Sequence, residues 1–346
     1  MVLRKDVAER AGTSPAVVSY VLNGSLRPVA PGTRARVLKA VEELNYRPNR
    51  IARSLRMNKT MTIGLVSPDA SNPFFAELSN AIEDAAFKRG YTILIGNSAE
   101  DLDRQGRYLD AFAGHQVDGL LLVPALGTTE DQVGHIPRDR PLVLIDRSLP
   151  GTTLPRVLVD NRDGAARATE HLFEHGRTRI ACIAGPADSS PSSERVAGFL
   201  ATVRAHRHLA DASDIVRHGP FGRHSGYLAA LDLLEGRRVD ALFATSDEQA
   251  FGVLRAIFEL GLTCPRDVAV VSFDGIAGSA YTVPSLTSIA QPFSSIGTAA
   301  IGLLLDLIEK RAPAQPLTEL KSELVRRGSC GCEDRHRDAS DRVMDR

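Results

Sequence analysis

The stretch Asp6-Val-Ala-Glu-Arg-Ala-Gly-Thr-Ser-Pro-Ala-Val-Val-Ser-Tyr-Val-Leu-Asn-Gly24 decides how this chain is read. Val7 and Ala11 stand four apart, as do Val18 and Leu22 with Val21 beside them, so each set makes one apolar stripe on a helix. Between the stripes, Gly12 can end the first helix in a left-handed conformation, Ser14 can cap the second, and Pro15 suits its first turn. Asn23-Gly24 stops the second helix. Two short helices about a tight Gly-containing turn make a helix-turn-helix. A third stripe, Val37, Val41 and Leu44, begins after Pro31 and ends before Asn45-Tyr46-Arg47-Pro48.

Charge supports a polyanion as the partner of this head. The 346 residues carry 42 Lys and Arg against 42 Asp and Glu, a formal net charge of zero. Residues 1–60 nevertheless hold twelve basic residues against four acids, so a basic head of +8 sits on an acidic body of −8. A helix-turn-helix presents the start of its second helix to base edges in the major groove. Ser14 and Pro15 at the tip, then Ala16, Ser19, Tyr20 and Asn23 on the expected solvent face, are the candidates for DNA contact. Ala16 can meet a thymine methyl and Tyr20 can offer a hydroxyl or a packing contact. No Arg or Lys lies on that face, so affinity is expected from surrounding basic residues on phosphates. In Asn49-Arg50-Ile51-Ala52-Arg53-Ser54-Leu55-Arg56 the arginines recur every third residue. That segment is shorter than the ~12–15 residues an isolated helix needs in water, and a polyanion can fold it.

From residue 61 onward, strand-like runs alternate with helix-length amphipathic stretches. The runs are Ile63–Val66, Thr92–Ile95, Val117–Val123, Leu142–Ile145, Val157–Val159, Ile180–Ala184, Ala241–Ala244 and Val268–Phe273. The helical stretches include Phe75–Lys88, Leu102–His115, Arg162–His175, Glu194–His206, Ser225–Leu234, Glu248–Leu260 and Ser294–Lys310. Such alternation predicts doubly wound parallel α/β sheets, and the length predicts two lobes. Ligands of such sheets bind beyond the carboxyl ends of strands. There stand Asn72 and Phe74, Asp146-Arg147, Asp160-Asn161, Ser189 to Arg195, Ser246-Asp247 and Asp274. Carboxylates, an arginine fork and the rings of Phe74 and Phe221 suit a polyhydroxylated or heteroaromatic small ligand. Asp247 and Asn161 are read as helix caps.

The run from Asp6 to Ser14, then Val18-Ser-Tyr-Val-Leu-Asn-Gly24 and Tyr46-Arg-Pro-Asn-Arg-Ile-Ala-Arg-Ser-Leu55, resembles the head and hinge of the lactose-repressor/galactose-repressor (LacI/GalR) family of bacterial transcription regulators. The resemblance continues through Ile63-Gly-Leu-Val, Ser71-Asn-Pro-Phe-Phe75 and Val271-Ser-Phe-Asp274, to about residue 328. It implies an all-α helix-turn-helix DNA-binding head (1–47), a hinge helix and linker (48–60), and an effector-binding and dimerisation core (61–328). That core is expected to be an α/β periplasmic-binding-protein-like fold of two doubly wound parallel-sheet lobes, with residues 329–346 a disordered tail. Asn49, Ala52, Arg53 and Leu55 are the hinge residues implied to touch DNA, Leu55 as a wedge between base steps in the minor groove. Pro15, Ala16 and Tyr20 match the family's specificity positions. Asn72, Phe74, Asp146, Arg195, Phe221, Ser246, Asp274 and Gln291 match its effector positions. Ser246 falls where sugar-binding members often carry Asn, while Leu3-Arg4 and Ala30 replace familiar capping residues.

The resemblance therefore implies a cytoplasmic, homodimeric repressor of pseudo-palindromic double-stranded operator DNA. A sugar or nucleoside-like effector would control it, with no cofactor, metal or membrane. The alternative is a solute-binding protein on the same core, which would need a signal peptide; Arg4, Lys5, Asp6, Glu9 and Arg10 crowd the place of its apolar stretch. No run approaches the ~20 apolar residues of a membrane span. An enzyme is not expected. His171-Leu-Phe-Glu-His175 does fit the H-x-x-E-H pattern of zinc hydrolases, and its two histidines share a helix face. A catalytic zinc needs a third protein ligand, and no downstream carboxylate stands out. Cys330-Gly-Cys332, without a second pair, is read as part of an exposed tail.

Overall fold

The structure is a computed structural model that describes residues 2–22, 27–47, 59–134, 140–207, 215–235, 239–312 and 315–332. The chain divides into two compact units, Met1–Thr60 and Met61–Arg346. In the first, α1 (Arg4–Ala11), α2 (Pro15–Leu22) and α3 (Pro31–Glu43) surround one small core. Val7, Ala8, Ala11, Val18, Val21, Val37, Ala40 and Tyr46 fill it, so the three stripes read from the sequence converge. Gly12 ends α1 at φ +61°. Neither Leu3 nor Ala30 caps its helix through a side chain. Asp6 offsets the first loss by accepting a hydrogen bond from the Leu3 N–H at 2.7 Å.

The second unit contains two six-stranded sheets. Its strands in chain order are β1 (Thr62–Ser67), β2 (Thr92–Asn97), β3 (Gly119–Leu122), β4 (Leu142–Ile145), β5 (Arg156–Val159) and β6 (Ile180–Ala184). There follow β7 (Val216–His218), β8 (Ala241–Ala244), β9 (Ala269–Asp274), β10 (Thr287–Ala290), β11 (Leu317–Leu320) and β12 (Glu323–Val325). The sheet orders are β11-β5-β4-β3-β1-β2 and β12-β10-β9-β8-β6-β7. All neighbours run parallel except β10 and β12. Continuous apolar runs such as Gly119–Leu122 and Leu142–Ile145 are buried throughout, as both-face coverage of a parallel sheet requires.

The helices that supply this cover are α4 (Pro73–Phe87), α5 (Leu102–Gly114), α6 (Glu130–Gly134), α7 (Asn161–Glu174), α8 (Ser190–Arg207), α9 (Arg223–Leu234), α10 (Asp247–Glu259) and α11 (Phe293–Ile308). One face of the first sheet packs on α4 and α11 around Ile63, Leu78, Ile82 and Leu304. The second sheet packs on α7 and α8 around Phe199, Phe243 and Phe273, and on α9 and α10 around Leu242 and Val253. Gly226 and Gly252 let α9 and α10 touch backbone to backbone, because a Cβ on either would overlap the other helix. The chain passes between the lobes after β5, after β10 and between β11 and β12. Among the described residues, no helix is long and apolar enough to cross a membrane.

Strands β7, β10, β11 and β12 escape the sequence reading because they are short and interleave polar residues, as in Thr-Ser-Ile-Ala and Leu-Thr-Glu-Leu. One expectation is corrected for its described part: residues 329–332 pack against the second lobe and are not a disordered tail. Ser329 and Cys330 are fully buried. The Ser329 hydroxyl donates to the Val270 carbonyl at 2.7 Å and accepts from the Thr287 N–H at 2.8 Å, which pins the segment beneath β9 and β10. Residues 333–346 lie outside the described residues.

Candidate functional site

In the head, Pro15 and Ala16 are exposed and Tyr20 is half-exposed, along one flank of α2. Ser14 starts that helix, its hydroxyl 3.4 Å from the Val17 N–H, too long to cap it firmly. Ser19 departs from expectation: it is 7 % exposed rather than solvent-facing. Position 19 lies about 60° around the helix from Leu22, on the shoulder of the buried stripe. Arg27 is the residue that sequence reasoning missed. Its guanidinium donates to the Tyr20 hydroxyl at 3.0 Å and sits 5.3 Å from the ring centroid, which gives this face a cation that α2 itself lacks. Only the fold brings it there, from seven residues away. Asn23, Asn49, Ala52, Arg53 and Leu55 lie outside the described residues.

In the core unit, the carboxyl ends of strands from both sheets face one crevice. Asn72 and Phe74 follow β1, Asp146 follows β4, Arg195 projects from α8 after β6, Phe221 follows β7, Ser246 follows β8, and Asp274 ends β9. These seven line the same cleft with Phe75, Arg147 and Pro191. Gln291, from the crossing after β10, donates to the Asp274 carboxylate at 2.9 Å. All eight residues expected at an effector site are thus brought together. The free space within the cleft is small, about 20 Å³, room for roughly one water molecule. A space of that size does not admit a molecule as large as a sugar or nucleoside. Hydrogen bonds outside the cleft join the two lobes: the Ser148 N–H donates to the Ser190 hydroxyl at 3.0 Å, and the Ala277 N–H to Glu77 at 2.8 Å. A larger, open groove of about 520 Å³ between α4 and α11, lined by Glu77, Asp84, Lys88 and Ser294, holds none of the eight.

Arg195 is the centre of the cleft. Its Nη1 donates to Asp274 Oδ1 at 3.1 Å and to the Thr245 carbonyl at 2.6 Å, and its Nε donates to Asn161 Oδ1 at 2.8 Å. The guanidinium also lies 3.7 Å from the Phe273 ring centroid, a stacked cation–π contact. The side chain is therefore fixed from every direction. Burial pushes the Asp274 carboxyl up to about 7, against the pull of Arg195 and with the help of Asp247. Burial likewise raises Asp146 and Asp247. Asp146 and Asp274 adopt φ +65° and +110°, conformations an L residue holds only where its surroundings enforce them. Arg147 is clamped by Glu100 at 2.8 and 3.0 Å, while its buried Nε makes no hydrogen bond and stands 3.9 Å from Asp146.

Two residues read as helix caps are not caps. The cap of α7 is Asp160, which accepts from the Asp163 N–H at 3.0 Å. Asn161, one position inside, donates to Glu194 at 3.1 Å and accepts from Arg195, so it positions the arginine. The cap of α10 is Ser246, and the next residue, Asp247, is wholly buried. It collects the Ser279 hydroxyl and the Ile276 N–H, each at 2.7 Å, and the hydroxyls of Ser272 and Ser288. In both places the helix starts one residue earlier than the sequence suggests, so the second polar residue turns inward. Asn72 and Ser246 line the cleft and cap their helices at once.

Comparison with known proteins places this arrangement. Residues 5–49 match the model of bacterial regulatory proteins, lacI family, and residues 169–330 that of the periplasmic binding protein-like domain. The HTH-type transcriptional repressor PurR of Aliivibrio fischeri strain MJ11 is 37 % identical over 332 residues, covering 94 % of this chain and 97 % of that protein. The PurR of Proteus mirabilis is 36 % identical over 334 residues, covering 94 % and 96 %. Among solved structures, the lac repressor dimer bound to operator and the anti-inducer ONPF superposes with a TM-score of 0.84 at 27 % identity, covering 95 % and 99 %. The transcriptional regulator CelR–cellobiose complex gives 0.70 at 32 % identity, covering 95 % and 100 %.

Proposed function

The chain belongs to the lacI family of bacterial regulatory proteins, and from that starting point we propose which of its residues read DNA and which hold the effector. It is a transcriptional repressor whose operator binding is governed by a small molecule, and not an enzyme. Pro15, Ala16 and Tyr20, with Arg27 beside them, meet the major groove. Leu55 enters the minor groove from the hinge, with Asn49, Ala52 and Arg53 on the backbone. The effector, a sugar or nucleoside-like metabolite, is held by Arg195 and Asp274, flanked by Asn72, Phe74, Asp146, Phe221, Ser246 and Gln291. One observation carries the effector site: residues after six strands of two sheets converge on a single crevice around a buried arginine.

Two heads read two half-sites, because a two-fold protein imposes two-fold symmetry on its operator. Exposed apolar groups suit a homodimer: Phe258, Tyr281 and Val283 are 73, 86 and 94 % exposed, and edge strand β2 presents Leu94 and Ile95. The protein works in the cytoplasm, where its DNA is. The solute-binding alternative is not favoured, since the relatives that match head and core together are repressors.

The test is selection of bound sequences from random DNA by the full chain, followed by a screen of sugars and nucleosides for those that change binding. A pseudo-palindromic consensus whose occupancy one such metabolite shifts is the expected result. Failure to prefer any duplex over a scrambled competitor would sink the reading.

A further inference from the structure

The H-x-x-E-H motif of α7 and the Cys-Gly-Cys motif near residue 330 are about 160 residues apart in sequence, and the fold brings them together. His171 and His175, four apart, project from the last turns of α7 on one face. Cys330 and Cys332 arrive from the segment pinned beneath β9 and β10, with Gly331 at φ +103° turning the chain so that both thiols point the same way. Cys332 Sγ lies 3.3 Å from His175 Nε2 and 3.7 Å from His171 Nε2. Among the described residues these form the group of four donors whose atoms all fall within 4.8 Å of one another.

We propose that His171, His175, Cys330 and Cys332 form a tetrahedral site for a divalent metal of the zinc type, which fastens the C-terminal segment to α7. Zn–S bonds of ≈ 2.3 Å and Zn–N bonds of ≈ 2.0–2.1 Å set donor atoms of a tetrahedral site roughly 3.3–3.8 Å apart. The two sulfur–nitrogen distances from Cys332 already fall in that range, and the widest separation closes by about an ångström. Two sulfurs and two imidazoles select zinc over hard cations. Two thiolates cancel the charge of the ion, so a half-buried position costs little desolvation. The buried Nδ1 of His171 makes no hydrogen bond, and Glu174 Oε2 stands 3.6 Å away, placed to orient the ring as an outer-shell carboxylate does. Four protein donors leave no open position, so the site is structural and not hydrolytic. It lies at the far end of the helix whose first residue, Asn161, holds Arg195, about 20 Å away along the axis.

Reduced full-length protein, stripped of metal, is titrated with Co(II). The expected result is one equivalent bound with the strong visible bands of tetrahedral cobalt and a near-ultraviolet thiolate-to-cobalt band, both abolished by Zn(II). Zn(II) should also raise the melting temperature. Cys332→Ser and His175→Gln, both at the partly exposed edge of the cluster, should lose the spectrum and the zinc effect, whereas Cys264→Ser should keep both. A weak octahedral spectrum, or a thiolate band that survives in Cys332→Ser, overturns the proposal. So does a Cys330–Cys332 disulfide that persists under reduction and leaves no cobalt bound.

Discussion

Arg195 and Asp274 are paired at 3.1 Å with 3 and 9 % of their side chains exposed, one carried by α8 and the other by the last residue of β9. Neither can leave the pair cheaply, and both face the cleft. A ligand that engages them therefore competes with, or completes, an existing network.

Arg195→Ala removes three hydrogen bonds and leaves a buried carboxyl with Gln291 as its amide partner. Breaking one side of a buried pair costs about 3–5 kcal/mol; uptake of a proton by Asp274 moderates this. Denaturant unfolding should show the loss, and operator-binding assays should show that the effector no longer changes affinity. Asp274→Asn, which keeps the shape, should retain most of the stability and still lose the response. A wild-type ligand titration in either variant removes the pair from the effector site.

The stability of the core should depend on pH through Asp274. Its folded value, about 7, lies above its ordinary 3.8, so the native state keeps a proton that the unfolded chain releases. That contribution is fully present below about pH 4 and disappears as pH rises to about 7. Measured against Asp274→Asn, wild-type stability should decline across this window and level off above it. A difference that does not vary with pH contradicts the assignment.

For the head, affinity should fall steeply with salt, with a log–log slope of about −0.9 for each phosphate neutralised. Arg27→Ala should take about one unit off that slope. Tyr20→Phe should alter the preferred half-site without changing the slope, because its hydroxyl carries no charge. Salt titrations on selected and scrambled duplexes separate the two effects.

Leu55→Ala should weaken operator binding far more than non-specific binding, since a wedge contributes only where the duplex is kinked. Equal losses on both DNAs, measured by competition, argue against a wedge.

Gly252→Ala places a methyl group against the Arg223 carbonyl of α9. Overpacking of this kind typically costs ~1–3 kcal/mol, and thermal unfolding of the core should report it. An unchanged midpoint would mean that the helices can separate without penalty.

The sequence by itself determined the three-helix head and the alternation of strands and helices, because these rest on local periodicity. The rule that strand ends carry ligands pointed to Asn72, Phe74, Asp146, Arg195, Ser246 and Asp274; the full set of eight, Gln291 included, was what the family resemblance implied. It could not tell a cap from its neighbour: Asn161 and Asp247 differ from Asp160 and Ser246 by one residue, and the true start of a helix depends on what it packs against. It could not show Ser19 turning inward or Arg27 reaching Tyr20. Nor could it join His171 and His175 to Cys330 and Cys332, because each pair is weak alone. What decided these was tertiary contact between segments far apart in the chain, which no local pattern encodes: the C-terminal segment must first pair beneath β9 and β10 before its thiols meet the end of α7.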